Sequence, residues 1–214
     1  MMAESSWAGS LGPTVLLAVL PFVVIAGTSY AKIAVVLHFT RSALGAPGVP
    51  PASVIAALAA VVSLFVMAPV ASRMADGLEA VAAPGEEGDA AGIARARALY
   101  EAGSPPLLEF LDSNAPAAEV EYFADLASEP ADGGSLRILL PAFALSEIKE
   151  AFLMGFLILV PFLVIDLITA NALQALGMHM TPPAAVALPF KLLLFVTVDG
   201  WDLVLGGLVV SYGT

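Results

Sequence analysis

The 214 residues contain no cysteine. Disulfides, thiolate metal sites, iron–sulfur clusters and cysteine nucleophiles are therefore excluded, while the compartment stays open. Histidine is scarce: His38 and His179 stand alone, without a matching ligand set for a metal. No Walker A, GxGxxG, HExxH or GxSxG pattern occurs. Asp166 and Asp199 sit in Val-Ile-Asp-Leu and Val-Asp-Gly, not in the Tyr-Asp and Gly-x-Gly-Asp settings of an intramembrane aspartyl protease. No catalytic constellation and no cofactor site emerges, and the chain reads as non-enzymatic.

Charge is scarce as well. Charged residues make up 13 % of the chain, against about 25 % in ordinary soluble domains. Hydrophobic residues make up 59 %, and the mean hydropathy is +0.92. A soluble globule of this size cannot hide that much apolar surface, so a membrane or a large apolar assembly is required, and disorder is excluded for the bulk of the chain. Positive charge is scarcest, with 8 Lys and Arg against 19 Asp and Glu. That balance argues against nucleic acid, which needs a basic footprint. The imbalance is local. Between Met74 and Asp132 lie 13 acids and two bases, Arg95 and Arg97, and the rest of the chain is neutral. An uncharged hydrophobic protein is interrupted by one acidic, water-loving insert.

The organisation follows from the apolar runs. A first run, Leu11–Ala31, is long enough to cross a bilayer. The ten residues before it contain Glu4 and no Lys or Arg, so a retained hydrophobic anchor is expected rather than a cleaved signal peptide. Lys32 to Pro51 reads as a helix end and a turn through Gly45-Ala-Pro-Gly-Val-Pro-Pro51. A second run, Ala52–Val70, ends near Pro69, and its Ala56 and Ala60 offer a small face for close helix packing. Residues 1–71 form one hydrophobic hairpin and residues 72–135 the acidic insert. In the insert, Asp89–Ala102 and Pro116–Ala127 read as helices, Ser104-Pro105 as a helix start, and Glu129–Gly134 as a closing loop. Residues 136–214 form a second hairpin: a run from Leu136 to about Met178, the break Thr181-Pro182-Pro183, and a run to Val210. The expected fold is all-α. The positive-inside tendency puts Lys32–Pro51 in the cytoplasm and the acidic insert on the far side of the membrane.

Magnitudes separate the last two runs. Ala151–Leu176 holds 15 Leu, Ile, Val or Phe residues, each favouring insertion by about 0.3–0.6 kcal/mol. Its one acid, Asp166, costs about 3 kcal/mol. Insertion wins. Ala184–Val209 holds 14 such residues, or about −6 kcal/mol. Against them stand Lys191, Asp199 and Asp202, for up to about +9 kcal/mol. This run breaks even or loses, so it needs partner helices. Lys191, Phe195 and Asp199 are spaced to share one helix face, and an Asp166–Lys191 pair is geometrically possible. Two readings stay open for it: an ion pair that joins helices, or a proton or ion relay. Prolines recur inside the apolar runs at Pro21, Pro161 and Pro189, each freeing a carbonyl and setting a bend. Met178-His179-Met180, just before the Pro-Pro turn, is either filler between helices or a soft constriction once several copies share an axis.

Two stretches carry a resemblance. They are Pro141-Ala-Phe-Ala-Leu-Ser-Glu147-Ile-Lys-Glu-Ala-Phe152-Leu-Met-Gly155-Phe and Pro189-Phe-Lys191-Leu-Leu-Leu-Phe195-Val-Thr-Val-Asp199-Gly200-Trp201. They resemble the two signature motifs of the FliP/SctR (YscR) family of type III secretion export-apparatus membrane proteins. Thr28-Ser-Tyr-Ala-Lys32, Arg41-Ser-Ala-Leu-Gly45, Pro50-Pro51, Phe65-Val-Met-Ala-Pro69 and Phe162-Leu-Val-Ile-Asp166-Leu match as well. The C-terminal Val210-Ser-Tyr-Gly213 looks closer to the virulence (injectisome) branch than to the flagellar one. Two positions depart from the family pattern. Leu153 stands where a polar residue is usual, and His179 replaces a methionine of the family's methionine-rich loop.

The resemblance implies a core subunit of a protein-conducting gate in the bacterial inner membrane. It implies several copies, five in the family, wound into a helical funnel with two smaller export-apparatus membrane proteins and a larger export-gate protein. Unfolded secreted polypeptides would pass through, and Met178, His179 and Met180 would line the gate. The insertion balance of the last run separately leads to the expectation that Asp166, Lys191 and Asp199 pair charges within the assembly. The competing expectation is a proton-coupled secondary transporter subunit using Asp166 and Lys191.

Overall fold

The computed structural model describes residue 18 and residues 21–46, 48–81, 89–130 and 135–213, without the side chains of residues 80, 81 and 89–96. Residues 11–17, 19 and 20 of the first apolar run and residues 131–134 of the expected closing loop lie outside the described residues. Among those described, residues 21–26 are helical and seven helices follow. These are α1 (Tyr30–Leu44), α2 (Ala52–Val81), α3 (Asp89–Asn114), α4 (Ala117–Ala127), α5 (Leu136–Ala175), α6 (Pro183–Thr197) and α7 (Gly200–Val210). No strand occurs among the described residues, and the fold is all-α.

Helix α5 is the spine, with α1, α3, α4 and α6 packed along it. Helix α1 runs in the same direction. Lys32 lies beside Glu147 and Glu150, Phe39 meets Phe152 edge to face at 5.4 Å, and Leu44 packs with Phe162. Helices α6 and α7 return the other way. Lys191 reaches Asp166, Phe195 faces Phe162 at 6.4 Å, and Tyr212 arrives at Glu147.

The second run does not end near Pro69. Helix α2 continues through it to Val81, past the boundary expected after residue 71. Proline removes one helical hydrogen bond, but Val66 and Val70 are locked into a core with Phe110, Leu111, Ile138 and Phe143. Beyond it Arg73 binds Glu109 at 2.6 Å. Tertiary burial outweighs the local break.

Ser104-Pro105 is likewise no helix start: α3 runs through Pro105 and Pro106. With no N–H at Pro106, the carbonyl of Ala102 loses its helical donor. That oxygen sits against Gly77 of α2, where an added Cβ would lie 2.4 Å from it. Only glycine lets the two backbones come this close.

The insert helices cover the first part of α5. Val120 and Ala124 of α4 bury against Ile138, Leu139 and Phe143, and Lys149 donates to Glu119 at 2.9 Å. That ammonium holds the Glu119 carboxyl below the usual carboxylate range. From Phe152 onward α5 instead exposes Phe152, Phe156, Leu157, Leu163, Leu167 and Ile168. The 24 residues from Phe152 to Ala175 span about 36 Å at 1.5 Å per residue. That length matches a hydrocarbon core of about 30 Å crossed at a tilt. Helices α2 and α5 are long and apolar enough to cross a membrane, and the bent pair α6–α7 makes a third candidate. The chain is a membrane protein.

Candidate functional site

The turn between α5 and α6 is built by its backbone. Leu176 caps α5, and Gly177 follows at φ +73°. The N–H of Gly177 donates to Gln174 O at 3.0 Å and that of Met178 to Leu173 O at 2.9 Å. This is a Schellman closure, which needs a residue that tolerates the left-handed region, and glycine does so without strain. Thr181 N–H then donates to Met178 O at 3.3 Å, and Pro182-Pro183 starts α6 with Pro183 in its first turn. The tight stop and the rigid start leave Met178, His179 and Met180 at the tip of a hairpin. All three are exposed, and Met180 is 97 % exposed. They fill no gap between helices of their own chain.

Nearly three helical turns down the two arms from the tip, Lys191 Nζ donates to Asp166 Oδ2 at 2.6 Å. Lys191 is buried on α6, and Asp166 is half-buried on α5. Asp166 Oδ1 is buried and has no hydrogen-bond partner among the described residues. The end of α1 closes the site, since a Cβ built on Gly45 would stand 3.6 Å from the lysine nitrogen.

Asp199 does not join this pair, and the expected stripe of Lys191, Phe195 and Asp199 is broken. Lys191 and Phe195 share the buried face of α6. The helix ends at Thr197, Asp199 takes a left-handed backbone at φ +50°, and α7 begins at Gly200. The fourth run is therefore two helices bent by 58°. The β-branched sequence Val196-Thr197-Val198 ahead of Asp-Gly weakens helix continuation. Phe195 also folds its ring over Gly200, where a Cβ would come within 2.3 Å of it. Asp199 and Asp202 are exposed, and Asp202 lies in the first turn of α7, where the helix dipole favours an anion.

A second charge cluster was not singled out by the sequence pattern. Lys32 and Glu147, each 1 % exposed, form an ion pair at 2.9 Å. Lys32 also binds Glu150 at 2.8 Å and sits 4.0 Å from the centre of the Tyr212 ring. The Tyr212 hydroxyl donates to the second oxygen of Glu147, and its ring stacks on Phe110 of α3 at 6.0 Å. Helices α1, α3 and α5 and the chain after α7 thus meet on one ion pair. A polar cavity of about 230 Å³ adjoins it, lined by Lys32, Ser113, Asn114, Glu147, Glu150 and Ser211. Two ionic residues at i, i+3 in an apolar run, Glu147 and Glu150, were the available signal. No group of three or more His, Cys, Asp or Glu with metal-site geometry occurs among the described residues.

This arrangement binds helices together and presents a soft apolar tip. Known proteins match nearly the whole chain. Residues 14–208 match the FliP family. The chain is 41 % identical to the Yop proteins translocation protein R of Yersinia pestis, over 92 % of this chain and 93 % of that protein. It is 41 % identical to the hypersensitivity response secretion protein HrcR of Ralstonia nicotianae, over 99 % of this chain and all of that one. It is 41 % identical to the flagellar biosynthetic protein FliP of Pectobacterium carotovorum, over 97 % of this chain and 80 % of the relative. The matched span takes in both signature stretches, the tip, the Asp166–Lys191 pair and the second cluster without Ser211 and Tyr212, and on it the chain belongs to the FliP family.

Proposed function

We propose that this chain is a non-enzymatic core subunit of a type III secretion export gate in the bacterial inner membrane. The observation that carries the reading is its similarity, over nearly its whole length, to proteins named for translocation, secretion and flagellar biosynthesis. The architecture supports it. Long apolar helices expose broad faces, and α6–α7 carries charges that lipid does not tolerate. Such a chain gains most by packing on further copies and on other membrane subunits. In this reading several copies, five by the family pattern, form a helical funnel with two smaller export-apparatus proteins and a larger export-gate protein. The acidic insert faces the periplasm. The exposed tips bearing Met178, His179 and Met180 converge on the axis, and unfolded polypeptides pass between them. Asp166 and Lys191 hold the hairpin that carries each tip.

The proton-coupled carrier alternative has less to draw on, because Lys191 is occupied by Asp166 at 2.6 Å. The test is a secretion assay. Deletion of the gene is expected to abolish export of a reporter into the medium while leaving its synthesis intact, and the plasmid-borne chain is expected to restore it. Normal export from the deletion strain would refute the assignment. Solute uptake by the purified chain alone in liposomes would favour the carrier.

A further inference from the structure

Three charges in the apolar part of the molecule find no ionic partner among the described residues. Arg41 lies on α1, within one turn of Ala43 and Leu44. These two pack with Phe162 and Phe195, against which Trp201 also lies. Asp199 and Asp202 flank Trp201, whose ring meets Phe195 at 5.2 Å. One layer of side chains therefore sets the depth of all three charges. At about 1.5 Å rise per residue, each lies within one helical turn of that layer. The layer is beside Phe162, inside the stretch of α5 with an exposed apolar face.

Among the described residues, Arg41 has no carboxylate within ion-pair distance, and neither Asp199 nor Asp202 has a cation. The buried cations of the same helices are satisfied, Lys32 by Glu147 and Glu150 and Lys191 by Asp166. The two acids turn outward. On α7 it is Val204 and Leu208 that meet the core, while Asp202 and Leu203 are exposed. Lipid at this depth supplies no counter-charge. One chain thus shows a cation on one element and two acids on another, at one level and unmet. That is the complementarity of a head-to-tail contact, in which two different patches of identical copies meet and the contact repeats.

We propose that Arg41 of one copy pairs with Asp199 and Asp202 of the next, which fixes the register between neighbouring copies in the assembly. The pairing rests on the self-association proposed above. It gives the bend between α6 and α7 a purpose: the break turns Asp199 and Asp202 away from the chain's own lysine and towards a neighbour.

The test uses the absence of native cysteine. Two differently tagged full-length copies are expressed together with the other components of the secretion system, one carrying Arg41→Cys and the other Asp202→Cys. A short bis-maleimide that spans an Arg–Asp pair is then added to membranes. A cross-linked species carrying both tags is expected. As a second measurement, Arg41→Asp is expected to lower the oligomer yield by about tenfold or more, and adding Asp199→Arg and Asp202→Arg is expected to restore it. If the wild-type chain assembles but the doubly tagged species is absent, or the cross-link goes to a different component, the pairing is overturned and self-association stands. If the wild-type chain stays monomeric with all components present, self-association itself fails.

Discussion

At the residue scale, buried charge decides what holds the molecule together. Lys32 and Glu147 are taken out of water almost completely, which is tolerable only while each serves the other. Lys32→Met should therefore lower stability by about 3–5 kcal/mol, because Glu147 stays behind as an unpaired buried anion. Lys32→Met combined with Glu147→Leu should cost clearly less than the sum of the single changes. Unfolding in detergent, followed through the four members of this cycle, checks it; strict additivity would show that the two act independently. The contrast with Asp166–Lys191 explains what could be read from sequence. That pair joins the two arms of one hairpin, 25 positions apart, and charge arithmetic on single runs already points to it. Lys32 and Glu150 are 118 positions apart, and Tyr212 reaches Glu147 from the far end of the chain. Their meeting depends on α1 running alongside α5, which no local pattern encodes. Asp199 shows the opposite failure. Helical spacing placed it with Lys191, but the chain breaks one residue earlier.

At the element scale, hydrophobicity and composition mark where helices lie, while their ends follow from packing. Pro69 and the Ser104-Pro105 pair read as boundaries by local rules, and both lie inside helices. In each case a neighbouring element pins the continuation: the Val66–Phe110 core around Pro69, and Gly77 beneath the freed carbonyl of Ala102. The second case makes a specific prediction. Gly77→Ala introduces only one methyl group, and on an isolated helix it should stabilise by about 1 kcal/mol. Here the methyl would stand 2.4 Å from Ala102 O, so α2 and α3 must separate. The expected result is a net loss of about 1–3 kcal/mol, as for overpacked cores. The loss should appear as faster proteolysis between α2 and α3 and a lower unfolding temperature in detergent. An unchanged or raised temperature would mean that the close approach bears no load. The all-α architecture was legible because runs of this length and hydropathy have few alternatives in a membrane.

At the scale of the whole molecule, what one chain leaves uncovered is what an assembly must cover. The exposed apolar face of α5 suits lipid or a neighbouring helix equally. The tip suits neither in an obvious way. A Schellman turn and two prolines hold Met178, His179 and Met180 outward, although thioethers gain by burial. In the proposed assembly, around an axis shared by several copies, these side chains would close on one another. Methionine has three rotatable bonds and a polarizable sulfur, so such a ring deforms around a passing chain and reseals. In such a ring His179 would add a polar edge where a third thioether would make the seal fully apolar. The deciding experiment replaces all three with alanine in the assembled complex. If the tips form the gate, assembly survives, because none of the three fills a gap within its own chain, and the inner membrane becomes leaky to ions or small molecules. His179→Met alone should leave the seal as tight as wild type or tighter, since it exchanges an imidazole for another flexible apolar chain. If the tips instead fill gaps between subunits, the triple variant loses the complex, and any complex that remains stays tight. A fully assembled triple variant with unchanged conductance would rule out the gate role. It would then leave the exposed methionines as a docking edge for another subunit.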